Sequence, residues 1–255
     1  MHTREIAYEP KAGVVRSEES LVSGDKLYTG FGWLDSVVGG FRPSEMVLVD
    51  SSSRFLFGLL SELCVQAVTA YGTHAVFVDG GNSIRPYEIA RISKFKGLDP
   101  YNVLSRIHVA RAFTAYQLAS LINDELDTIL EKTGASTVIV SSLLDLFLDP
   151  DMRWNESFQL VKRSMAMLEK ITRERGVVCI ISNFGAGKLQ RTRALASTMN
   201  GYPDRILRME STDKGMCISL PRYGTYFYRY PVPKGQSVLE RYFREANYGQ
   251  DGRNL

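Results

Sequence analysis

Five short apolar runs punctuate the chain, at residues 46–49 (MVLV), 74–79 (HAVFVD), 106–110 (RIHVA), 137–140 (TVIV) and 177–182 (VVCIIS). They are rich in Val and Ile and show no polar alternation, the pattern of strands buried on both faces. Between them lie stretches with apolar residues at helical spacing, over 55–71, 86–97 and 114–132, and over 154–175, where Phe158, Val161, Met165, Leu168 and Ile171 share one stripe. Gly97 and Pro100 are read as the stop of the second helix. Strands apolar on both faces that alternate with helices predict an α/β fold with a mostly parallel sheet covered by helices. After Asn200 the pattern changes to short alternating runs, RILRME, GMCISL and GTYFYRY, which predict an antiparallel C-terminal extension.

Composition narrows the class. With 44% hydrophobic residues and a net charge of +3 over 255 residues, the chain is neither disordered nor long enough for several large domains. The expected division is an arm at 1–25, one core domain at 26–235 and a tail at 236–255. Cys64, Cys179 and Cys217 lie far apart with no histidine near them, so reduced thiols in a cytoplasmic protein are expected rather than a zinc site. No apolar stretch approaches the length of a membrane span, and no membrane partner is expected. The small net charge hides an asymmetry. Residues 183–255 carry 12 Lys and Arg against 6 Asp and Glu, while the first 182 carry 19 against 22. A basic C-terminal part that meets a polyanion is one reading; an uneven solvated surface is the other.

In an open parallel sheet, ligands sit at the carboxyl ends of the strands, and the turns there carry a family likeness. LDSVVGG ahead of a strand, the IRP, GLDP and VLSRIHVARAF elements that follow residue 75, STVIVSSLLDLF and VVCIISNF together resemble the core of RecA/RadA-type recombinases, and the region from the second strand on resembles archaeal RadA and RadB. The resemblance spans about residues 28–230 and implies a RecA-like core. It also implies where nucleotide chemistry should sit, and there this chain departs. The phosphate loop of the family reads G-x-x-x-x-G-K-[ST], whose amides and lysine hold the phosphates. In register here are Ser51, Ser52, Ser53 and Arg54, with Phe57 in place of the lysine and Gly58 the first glycine. Ser141 stands where the Walker B Asp should be, Gly81 where the catalytic Glu should be, and Phe184 where a Gln would sense the γ-phosphate. Phosphoryl transfer rests on those groups, so the expectation is a RecA fold without ATPase activity, catalytic residue, metal or cofactor. GAGK at 185–188 is a chance match, since Leu189 occupies the Ser/Thr position.

In the resembled family, DNA lies along loops after the fourth and fifth strands. The first corresponds to residues 148–157, with Arg153 beside Trp154; the second to 184–202, with Lys188, Arg191 and Arg193 and no acid between residues 175 and 203. A cation next to an aromatic, and a flexible basic loop, suit a single strand bound with little sequence preference. Asp149 and Asp151 oppose this in the first loop, where Trp154 could equally pack against its own helix. In the strand 222–230, Tyr223, Thr225, Phe227 and Arg229 share one face and Tyr226, Tyr228 and Tyr230 the other, which fits edge packing or a binding surface. His74 and His108 are read as satisfied strand histidines. The first 30 residues lack the F-x-x-A segment through which such recombinases polymerise, so small assemblies or pairing with a RadA-like recombinase or another paralog are expected instead. The leading expectation is a DNA-binding accessory in recombinational repair. A pseudo-ATPase scaffold for protein contacts, and an ATPase with a rearranged site, remain as alternatives.

Overall fold

The structure is a computed structural model and describes residues 26–70, 74–185, 190–213 and 215–229. Eight strands form one sheet in the order β3-β2-β4-β5-β1-β6-β7-β8. These are β1 (Met46–Ser51), β2 (Ala75–Asp79), β3 (Ile107–Arg111), β4 (Thr137–Ser141), β5 (Val178–Phe184), β6 (Arg205–Thr212), β7 (Gly215–Leu220) and β8 (Thr225–Arg229). The apolar runs thus form strands as expected. β1 to β5 pair in parallel, and β6 also runs parallel to β1. Among the described strands, β6–β7 and β7–β8 pair antiparallel, so the C-terminal extension begins one strand later than its sequence pattern suggests.

Alternate residues of the central strands feed two cores. Met46, Leu48, Val76, Val78, Val138, Val140, Cys179 and Ile181 face one side, where α5 (Ala115–Ser120), α6 (Leu126–Thr133), α7 (Leu143–Phe147), α8 (Trp154–Arg175) and α9 (Gln190–Met199) pack. Val47, Val49, Phe77, Ile139 and Ile180 face the other, under α1 (Gly32–Val38), α2 (Phe55–Thr69), α3 (Pro86–Phe95) and α4 (Pro100–Ser105). Burial on both faces explains why these strands carry no polar alternation.

Two expectations are corrected and one helix is added. The helix read over 114–132 is interrupted by a π-helical turn at Leu121–Glu125. Leu118, Ile122, Leu126 and Leu130 are all buried at a spacing of four. On a helix of 3.6 residues per turn that spacing drifts about 40° per step, and one wider turn restores the buried face. α3 ends at Phe95, ahead of Gly97 and Pro100 as expected, but a short helix not expected from the sequence, α4, opens at Pro100. Asp99 caps it by accepting from Tyr101 N and Asn102 N, both at 3.2 Å, and proline suits the first helical position. The segment 184–202 is not one long loop either. β5 continues to Phe184, and α9 occupies Gln190–Met199 with Leu195 and Met199 fully buried.

The expected arm 1–25 and tail 236–255 lie outside the described residues, as do Lys188 and Tyr230. No helix among the described residues is long and apolar enough to cross a membrane.

Candidate functional site

The carboxyl ends of β1, β2, β4 and β5 face one end of the sheet, and the positions that the sequence reading singled out around a nucleotide, residues 51–54, Phe57, Gly58, Gly81, Ser141 and Phe184, lie there. After β1, the turn folds onto itself. Ser51 Oγ donates to the Met209 carbonyl at 3.0 Å and accepts from Ser53 N at 3.0 Å. Ser52 N donates to the Met209 carbonyl, Phe55 N to Ser53 Oγ, Leu56 N to the Ser53 carbonyl and Phe57 N to the Arg54 carbonyl. Five amides of this turn and of the first turn of α2 are therefore engaged inside the protein. Arg54 is exposed as the last residue before α2, and Gly58 lies within that helix.

The ends of β2 and β4 are closed by a second network. Asp79 is fully buried and accepts from Ser83 N at 2.8 Å, Ser83 Oγ at 3.0 Å and, more weakly, the Gly81 and Ile84 amides. Arg111 offsets its charge at 3.3 Å. Ser141, also fully buried, is hydrogen-bonded through its hydroxyl to Ser83 Oγ. Gly81 has no room for a side chain, because a Cβ there would lie 2.4 Å from Ser142 Cβ and 2.5 Å from Ser142 Oγ. Ser142 itself adopts the left-handed conformation with φ 53°, an unfavourable region for a residue with a Cβ.

Aromatic rings stand at the remaining two positions. Phe57 and Phe184 lie with ring centroids 5.2 Å apart, and the Arg85 guanidinium sits 4.7 Å from the Phe57 ring centre. Phe184 is 37% exposed although Val178–Asn183 ahead of it are buried. Asn183 ties the two strand ends together by accepting from Leu144 N at 3.2 Å.

The two basic segments leave this same end, because β4 and β5 are parallel neighbours. Arg153 precedes α8 and is exposed, and Trp154 opens the helix with 38% exposure and its ring 6.5 Å from that of Phe158. Trp154 thus packs against its own helix and keeps an accessible face. Tyr116 of α5 donates to Glu156 Oε1 at 2.8 Å beside it. Arg191 falls on α9, while its side chain lies outside the described residues. Arg193 is exposed and lines a cleft of about 490 Å³ at the carboxyl ends of β1 and β6, together with Asp50, Ser52, Asn200 and Arg208. Burial pushes the Asp50 carboxyl up to about 6, against the pull of Arg208 and with a further push from Glu210. Among the described residues no three His, Cys, Asp or Glu side chains gather to hold a metal. His74 Nδ1 and His108 Nε2 are hydrogen-bonded at 2.7 Å with stacked rings, which satisfies both.

Sequence reasoning missed Ser83, Arg85, Arg111 and Arg208. Arg85, Arg111 and Arg208 act on residues from another strand or turn, so no local pattern marks them. The GGNS stretch after β2 carried the one available signal, as turn residues whose amides seek a side-chain acceptor such as Asp79.

A parallel sheet in this order, with its ligand end at β1, β4 and β5 and a β6–β8 extension, defines a RecA-type core. Within that class the assignment is narrower: the Rad51 family model matches residues 37–202, well over half of the chain, and the protein belongs to the Rad51 family.

Proposed function

We propose that this chain is a recombinase paralog without ATPase chemistry, which binds single-stranded DNA and assists homologous recombination and repair beside an active recombinase. The observation that carries the reading is the turn after β1, whose amides hydrogen-bond to Met209, Ser51, Ser53 and Arg54 rather than remaining as donors for a phosphate. A magnesium nucleotide does not fit the residues around it. Phe57 replaces a cation, Ser141 is committed to Ser83 with no carboxylate to offer, and Gly81 cannot be given a side chain. Membership of a DNA-binding family supports the partner. So do Arg153, Trp154 and Arg193, which lie beyond the ends of β4 and β5. Cations of this kind give salt-dependent affinity with little sequence preference.

Fluorescence anisotropy with labelled single-stranded DNA across a salt series, with and without Mg-ATP, tests the proposal. The expected result is micromolar binding at low salt that ignores ATP. The joint substitution Arg191→Ala and Arg193→Ala should flatten the salt dependence by about two phosphate contacts. No binding at low salt, or hydrolysis of ATP by the pure chain, overturns it.

A further inference from the structure

The positions that lost phosphate-handling groups did not become inert core. Phe57 and Phe184 present a tilted aromatic pair at the end of the sheet, with Phe184 more than a third exposed. Arg85, exposed and paired with no carboxylate among the described residues, lies over the Phe57 ring. Phe184 is followed at once by Gly185, which has φ 71° and borders the cleft that Arg193 lines. An apolar pair left half open beside guanidinium groups calls for a flat, electron-rich ring that brings its own negative charge. A protein side chain would supply the ring alone. A nucleotide unit of a single strand supplies both, with the base on the ring face and the phosphate near the arginines.

We propose that Phe57, Phe184 and Arg85 form a stacking platform for one unpaired base of a single-stranded nucleic acid, in the space vacated by nucleotide chemistry. This rests on the DNA-binding reading and names a contact within it that the basic segments do not provide. The stacking contribution is largely independent of salt, whereas that of Arg193 is not.

The test uses the full chain and three strands of equal length: a thymine oligonucleotide, its abasic counterpart, and one carrying 2-aminopurine. Wild-type protein should bind the base-bearing strand more tightly than the abasic one and quench the 2-aminopurine fluorescence. Phe184→Ala should weaken binding of the base-bearing strand by about tenfold and leave its salt dependence unchanged, whereas Arg85→Ala should weaken it and lower the salt slope by about one phosphate contact. Phe184→Ala should shift the abasic strand little, while Arg85→Ala should weaken it through the lost phosphate contact alone. Arg85 is exposed, so its variant reports on the platform even where Phe184→Ala disturbs the end of β5. Equal affinity for abasic and base-bearing strands, or variants that bind as the wild type does, overturns the platform while DNA binding stands. A changed association state of Phe184→Ala with unaltered DNA binding also overturns it and assigns the pair to a protein contact. Failure of the wild type to bind any strand removes the DNA-binding reading and the platform with it.

Discussion

Gly81 shows how one position can exclude a side chain from a closed turn. A Cβ there would come within 2.4 Å of Ser142 Cβ, and Ser142 is held at φ 53° by the turn that ends β4. The two residues fit only because one of them has no side chain. Gly81→Ala is expected to lower stability by about 1–3 kcal/mol, the usual range for overpacking a closed site. In a Ser142→Gly background most of that loss should disappear, since the opposing Cβ is gone and glycine accepts the left-handed conformation freely. Urea midpoints of the four proteins form the cycle. An equal loss in both backgrounds would mean that the contact with Ser142 is not what excludes a side chain.

At the scale of elements, the legible parts were those whose burial is uniform. β1, β2, β4 and β5 carry unbroken apolar runs because helices cover both faces of the sheet, and α8 has a stripe that repeats over 22 residues. The turns after β1, β2, β4 and β5 were marked too, as the carboxyl ends at which a parallel sheet places its ligands. Short elements held by one or two contacts were not. α9 shows only Leu195 and Met199 as buried apolar positions in an otherwise polar stretch, and reads as loop until the core of the sheet is there to receive them. α4 hides behind Pro100, whose usual meaning is a stop. Its start was nonetheless written in the sequence as Asp99 followed by proline at the first helical position. Asp99→Ala should cost about 1 kcal/mol in thermal or urea denaturation, because the Tyr101 and Asn102 amides lose their acceptor. Asp99→Ser should recover most of it. If alanine and serine behave alike, the cap is not what fixes α4.

For the whole molecule, strand order redistributes the charge asymmetry read from the sequence. β6 lies beside β1, so arginines of the basic C-terminal part meet acids of the acidic core: Arg205 pairs with Glu45 at 2.7 Å, and Arg208 approaches Asp50 at 4.0 Å. Arg229 rests on the Trp33 ring at 4.1 Å. Among the described residues, Arg205, Arg208 and Arg229 are therefore engaged within the fold, and Arg193 is exposed at the carboxyl ends of the strands. Asp50 records the balance. Its carboxyl titrates at about 6 in the folded chain, against about 3.9 for an unperturbed Asp, because burial outweighs the long contact with Arg208. The folded state thus binds the proton more tightly than the unfolded state does. Stability from this group is fully present below about pH 4, falls as the pH rises towards 6 and stays low above that. Asp50→Asn removes the charge and keeps the shape. It should be more stable than the wild type at pH 7 by about 1–2 kcal/mol, less than the full shift implies because the attraction to Arg208 is lost as well. The advantage should shrink towards zero at pH 4, as read from urea midpoints at the two values. A variant less stable than the wild type at pH 7 would show that Arg208 holds Asp50 more strongly than burial penalises it.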